Sequence, residues 1–257
     1  MSGQYEELKT SLGWYTDSNY TNKIELNSNG LPIDGVTSDL NLYAKAITFV
    51  LKKGSDFNKL ISSTATSVIF TDEIMPISAT LIDVDENGDG GVVAWMDGTS
   101  MKVSTQIKGL KAQANPDIRN MFYNKRNLRN IDLTMLDTQN VTYMNTMFYN
   151  CSGLTSLDLT PLDTQNVTDM GYMLYDCSSL TTLDLTSMNT QKVTDMDWVF
   201  GASSKLTTLS LGDKFAFVSS DYSLPSGTWY SSDGTSYTSN GTTCTIPNNK
   251  ADTYTRR

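Results

Sequence analysis

The chain writes one 26-residue sentence three times. Aligned on Leu128, Leu154 and Leu180, the first two repeats agree at 16 of 26 positions and the second and third at 13, and Leu206 opens a further partial copy at the same step. A repeat this short cannot bury a face by itself, so it must stack on its neighbours. Its apolar residues keep fixed places. Leu154, Leu157 and Leu159 spell L-x-x-L-x-L, matched by Leu128, Ile131, Leu133, by Leu180, Leu183, Leu185 and by Leu206, Leu209, Leu211. Period-2 alternation turns these inward and sends Ser156 and Asp158 outward. A polar corner, "TPLDTQN", follows. Val167 and Met170 then turn inward, and "MGYMLYDC" reads as a short helical turn that sets Met173, Leu174 and Cys177 against the core.

A strand on one side and a tight helical turn on the other is the pattern of a leucine-rich-repeat coil. The expected fold class is therefore α/β, mainly β: a leucine-rich-repeat solenoid with a small α+β N-terminal module and an aromatic C-terminal cap. Four segments follow. Residues 1–69 form an N-terminal helical attachment module, 70–127 a β-rich N-terminal cap, 128–211 the repeats and 212–257 the C-terminal cap. All five glutamates fall between Glu6 and Glu86, and that shift in composition marks the first segment as distinct. Within it, "SDLNLYAKAITFVLKKG" predicts a helix capped by Ser38 or Asp39 and ended by Gly54. A second helix is predicted around Asp56–Ser62. Strands are predicted at "TSVIF", "ISATLIDV", "GVVAWM" and "SMKVSTQI". In the tail, Phe215, Phe217, Trp229, Tyr230, Tyr237 and Tyr254 would close the other end, since terminal repeats need caps.

Charge and composition exclude several functions. Net charge is −9, so phosphate backbones are repelled and nucleic acid is not an expected partner. No apolar run is long enough to span a membrane. The opening "MSGQYEELKT" has neither the basic nor the apolar region of a secretory signal. The chain has no histidine, which removes Ser-His-Asp and Cys-His catalysis and histidine-ligated metals. The three cysteines, Cys151, Cys177 and Cys244, show no zinc or redox spacing. Cys151 and Cys177 share one repeat position, where the third repeat carries Ser203. That points to a small buried residue rather than to a disulfide. No catalytic residue and no cofactor is expected.

Two constellations carry candidate binding chemistry. The outward strand positions are Asn130, Asp132, Ser156, Asp158, Thr182, Asp184, Thr208 and Ser210. Short polar side chains in a regular array suit a glycan or a basic polypeptide. Asp132, Asp158 and Asp184 would stand in one row, strand to strand at about 4.8 Å. Like charges at that spacing need donors, water or a cation between them. The structural reading is that they accept hydrogen bonds from neighbouring amides or from the Thr134, Thr160, Thr186 row. The second constellation is "DVDENGDGG", which opens like a calcium loop with Asp83, Asp85, Asn87 and Asp89. The bidentate acid such a loop needs at its twelfth place is Ala94, so a hairpin turn is the expected role and a metal site the fallback.

The signature L-D-L-T-x-L-D-T-Q-N-V-T-D-M-x-x-M, followed by the cysteine, resembles the 26-residue repeats of BspA-like leucine-rich-repeat bacterial surface proteins. The resemblance runs from about Phe70 to the C-terminus and takes in "VVAWMDGTSMKVSTQIKGLKAQANPDIRNMF" and "LPSGTWYSSDGTSYTSNG". It implies a non-enzymatic adhesion or recognition module, extracellular or at a cell surface, binding protein or glycan. The alternative is a structural or host-recognition component of a bacteriophage virion, docked on the particle or oligomerised through residues 1–69.

Overall fold

The computed structural model describes residues 11–15, 23–24 and 43–257. The chain divides into two compact units, Met1–Thr48 with Asp89–Gly91, and Phe49–Gly88 with Val92–Arg257. In the smaller unit, β1 (Ser11–Tyr15) lies between β2 (Lys23–Ile24) and β3 (Tyr43–Ala46), antiparallel to both. The helix expected from Ser38 to Gly54 is not formed where the structure describes it; its capping residues and Leu42 lie outside the described residues. Tyr43–Ala46 is strand, and Val50 and Leu51 make isolated bridges to Gln113 and Asp85. The run Ile47-Thr48-Phe49-Val50 is β-branched and aromatic, and such side chains fit an extended backbone better than a helix.

In the larger unit, α1 (Gly54–Leu60) is the only helix among the described residues, near the second helix expected there. The strands that follow are β4 (Ser67–Thr71), β5 (Ile82–Asp83), β6 (Val93–Asp97), β7 (Ser100–Ser104), β8 (Ala112–Gln113), β9 (Asn130–Asp132) and β10 (Leu136–Asp137). Then come β11 (Thr182–Leu185), β12 (Thr208–Leu211), β13 (Gly227–Tyr230), β14 (Ser236–Ser239) and β15 (Asp252–Arg256). They form a sheet β5-β6-β7-β4-β9, a parallel pair β10-β8, and a sheet β11-β12-β15-β13-β14. Strands β11 and β12 run parallel with Leu183 opposite Leu209, a step of one repeat.

The architecture corrects the expected α/β leucine-rich-repeat solenoid. Among the described residues it is mainly β, built of separate small sheets with one short helix outside the repeats. Two findings overturn the expectation. First, the L-x-x-L-x-L segment of the second repeat, Leu154–Leu159, forms no ladder, so no single sheet runs through the repeats. Second, the segment expected as a helical turn is a chain of turns. In the first repeat the N–H groups of Thr146, Phe148 and Asn150 donate to Gly171, Met173 and Tyr175 of the next repeat, at 2.9, 2.9 and 2.7 Å. The alternate N–H groups, of Met147, Tyr149 and Cys151, donate three residues back to Met144, Thr146 and Phe148. A helix needs every amide for its own next turn. Half of these amides are spent on the neighbouring repeat, so the helix cannot form.

That alternation has a backbone consequence. Asn120, Thr146, Tyr172 and Trp198 have φ of 62°, 58°, 56° and 57°, and Asn124, Asn150, Asp176 and Ala202 repeat it four residues on at 60°, 56°, 53° and 58°. Left-handed backbone is costly for a residue with a Cβ, so the forward hydrogen bonds must hold it there. The repeat leucines are buried in one cluster with the methionines and Phe122, Phe148 and Phe200. Trp229 and Tyr254 of β13 and β15 join the same cluster.

Candidate recognition surfaces

The polar letters of the repeat are spent on holding it together. Asp137, Asp163 and Asn189 each accept the N–H of Gln139, Gln165 and Gln191, all at 3.0 Å. Between them, buried Thr138 accepts the Asp163 N–H at 2.8 Å and donates to the Asp163 carbonyl at 3.2 Å. Thr164 does the same with Asn189. One hydroxyl thus bridges two repeats. The cysteines act alike: Cys151 and Cys177 donate S–H to the carbonyls of Phe122 and Phe148 at 3.1 and 3.3 Å, and Ser203 donates to Leu174 at 2.9 Å. Both thiols are free and buried. Burial pushes the Cys151 thiol up to about 12 and the Cys177 thiol well above its usual range, which keeps them protonated and inert.

The outward strand positions fall in two groups. Asn130, Asp132 and Asp158 line one hollow of about 200 Å3 with Pro161 at its edge. Thr182 faces Thr208 and Asp184 faces Ser210 across the β11–β12 pair, and Ser210 shares a 2.9 Å hydrogen bond with Thr253. Ser156 is exposed on the unpaired segment of the second repeat. Each aspartate of the row caps the turn after it. Asp132, Asp158 and Asp184 accept the N–H of Thr134, Thr160 and Thr186, each at 2.9 Å. The hydroxyls of Thr160 and Thr186 add bonds of 2.7 and 2.6 Å. Amide and hydroxyl donors therefore supply the favourable partners that the charged row requires.

The aspartates of the loop after β5 are likewise taken up by backbone. Asp83 accepts the Asp85 N–H at 3.0 Å and pairs with Lys52 at 3.3 Å. Asp85, fully buried, accepts the N–H groups of Asn87 and Val92. Asp89, in the smaller unit, accepts the N–H groups of Thr48 and Gly91 at 2.9 and 3.0 Å. Among the described residues no group of three or more acidic or thiol side chains is arranged to hold a metal ion.

The surface that sequence reasoning missed lies on the turns. Tyr123, just before the first repeat, and Tyr149 and Tyr175 of the first and second repeats stack with ring centres 4.9 and 4.8 Å apart and planes within 20° and 9°. Beside them Tyr172 stacks on Trp198 at 6.2 Å with planes 3° apart, and both touch Tyr175. Tyr123, Tyr172 and Trp198 remain 41%, 39% and 41% exposed. Burial, and then the neighbouring rings, push the Tyr149 hydroxyl above its usual range. Tyr149, stacked on both sides, offers only its edge. At the third repeat the pattern breaks. Gly201 stands where the earlier repeats have tyrosine, and a Cβ there would lie 2.6 Å from the Tyr175 ring and 3.2 Å from Trp198. The signal was in the sequence as Tyr123, Tyr149 and Tyr175 at one repeat position. The expectation of a helical turn set Met173, Leu174 and Cys177 against the core and gave the tyrosines no role.

Residues 94–211 match a family described as "Mycoplasma protein of unknown function, DUF285". The match spans β6, β7 and all three repeats, and it is compatible with a BspA-like surface protein; it does not extend to a leucine-rich-repeat assignment. No curated protein and no solved structure matches the chain. Among the described residues no helix is long and apolar enough to cross a membrane.

Proposed function

We propose that the chain is a non-enzymatic recognition module that binds protein or glycan at a cell surface. The observation that carries this reading is the exposed aromatic row on the repeat turns. Large rigid side chains with few rotamers lose little entropy on binding and are enriched at recognition surfaces. Their backbone is held by hydrogen bonds to the next repeat, so the rings are organised before a ligand arrives. The surface-protein character compatible with the matched family supports the same reading. The test is a binding assay of the full chain on immobilised glycans, on extracellular proteins and on intact cells. Saturable binding on one class, lost when Tyr172 and Trp198 are both replaced, is the expected result. No saturable binding to any of the three overturns it.

A second reading is a structural or host-recognition component of a bacteriophage virion, attached through residues 1–69. The separate compact unit that gathers Met1–Thr48 favours it. Mass spectrometry of purified particles from a producing culture decides: the chain co-purifies with capsid and tail proteins, or this reading falls.

A further inference from the structure

We propose that a groove beside Trp198 binds a neutral sugar ring, with the Trp198 indole as its platform. The proposal rests on the recognition reading and assigns it one site and one ligand class. The groove holds about 300 Å3 and is bordered by Trp198, Gly201, Ser204, Pro225, Ser226 and Arg256. That is the lower end of ligand-pocket sizes, roughly enough for one or two pyranose rings.

The repeat departs from its own spelling at the residues that make this groove. Trp198 replaces the Asn120, Thr146 and Tyr172 of earlier repeats, Gly201 replaces Tyr149 and Tyr175, and Ala202 replaces Asn150 and Asp176. One change adds the largest flat side chain and the other two remove bulk beside it. Gly201 lets the Tyr175 ring close over the backbone, where any Cβ would collide. Tyr172 supports one side of the indole in a parallel stack, and the groove runs along its border. The indole is thus fixed in orientation and still 41% exposed.

The lining chemistry selects the ligand. An aromatic face is electron-rich, and the C–H side of a pyranose offers it a weakly positive apolar surface. Sugar hydroxyls then need donors and acceptors at the rim. The hydroxyls of Ser204 and Ser226 make no hydrogen bond among the described residues. Arg256 donates to the carbonyls of Ser204 and Ser226 at 2.6 and 3.2 Å, which fixes its position and leaves further N–H groups of its five to donate. An anionic ligand fits less well. Two of the donors of Arg256 are committed, and the net charge of −9 opposes a phosphate or sulfate.

The test is titration of the full chain with neutral hexaoses of glucose, galactose, mannose and xylose, read by calorimetry and by tryptophan fluorescence. Of the four tryptophans Trp95 and Trp229 are buried, and comparison with Trp198→Phe assigns the part of the signal that comes from the indole at 198 rather than from Trp14. At least one hexaose is expected to bind with a fluorescence change. Trp198→Asn should weaken it by about tenfold or more, while Trp198→Phe keeps most of the affinity. Asparagine tolerates the left-handed backbone at this place and already stands there as Asn120, so the variant is expected to fold, as its melt will report. Gly201→Ala should also weaken binding, and Asp132, Asp158 and Asp184 changed together to Asn should not. No binding of any hexaose at millimolar concentration, or undiminished binding by a folded Trp198→Asn, overturns the proposal. If the chain then still binds cells or an extracellular protein, only the groove assignment fails. If it binds neither, the recognition reading fails with it.

Discussion

The strand side and the turn side of the repeats use the same three-fold sequence in opposite ways. On the strand side the aspartate is constant: Asp132, Asp158 and Asp184 each accept a turn amide at the same distance. On the turn side it drifts, from Asn120 through Thr146 and Tyr172 to Trp198, while the backbone holds the same left-handed φ throughout. A side chain that repeats unchanged is one the scaffold consumes. A position whose backbone is fixed by neighbouring repeats can vary its side chain freely, and there the exposed rings appear. Constancy at the aspartate goes with a bond that holds the turn, and drift at the left-handed position goes with an exposed ring.

The largest effect is expected in the shared interior. Leu183 is 2% exposed and lies opposite Leu209 of the next repeat, and Leu183→Ala should cost about 2–5 kcal/mol. A thermal melt within a degree or two of the parent would mean the repeat leucines do not form one core. Next comes the hydroxyl bridge. Thr164→Val keeps the shape and strands the Asn189 N–H, so a loss of about 1–3 kcal/mol is expected in denaturant titration. An unchanged midpoint would make the buried threonine column incidental.

On the turn side the expected effect is smaller. Trp198→Asn gives up the stack on Tyr172 and gains a residue that bears left-handed backbone more easily, so the net loss should stay under about 1 kcal/mol. A large loss would show that the indole belongs to the core and not to a recognition surface. A smaller effect is expected at Asp169. Burial raises its carboxyl above the usual aspartate range, and neighbouring Asp195 adds to the rise. The folded chain therefore keeps this proton to higher pH than the unfolded chain does. The ionised form subtracts stability at neutral pH, and the loss is recovered as pH falls through the raised value. Asp169→Asn should melt slightly higher than the parent at pH 7, with the advantage gone by about pH 3. The opposite trend would mean the carboxylate is stabilised by its Gly171 amide bond. The smallest effect belongs to the strand face. Changing Asp132, Asp158 and Asp184 together to Asn keeps every acceptor, so the melt should stay within a few degrees, a surface effect of about 0.5 kcal/mol per site. A collapse of stability would show that charge, rather than hydrogen bonding, holds these turns.

The repeat, its step and its inward-facing residues are legible in the amino-acid order alone. Leu154, Leu157 and Leu159 are apolar at places that only burial explains, and they are buried. The capping role of the outward aspartates was also legible, because Asp two residues before a turn threonine has few other partners. The secondary structure of the turn segment was not legible. "MGYMLYDC" has helical spacing, and local pattern cannot reveal that half its amides are claimed by residues 25 positions away. Nor could pattern fix strand pairing: β9 pairs with β4, β11 pairs with β12, and the leucine segment of the repeat between them pairs with neither. These are choices among backbone partners of nearly equal local merit. Hydrogen bonds between distant segments decide such choices, so only the tertiary structure settled them, and with them which rings stayed outside.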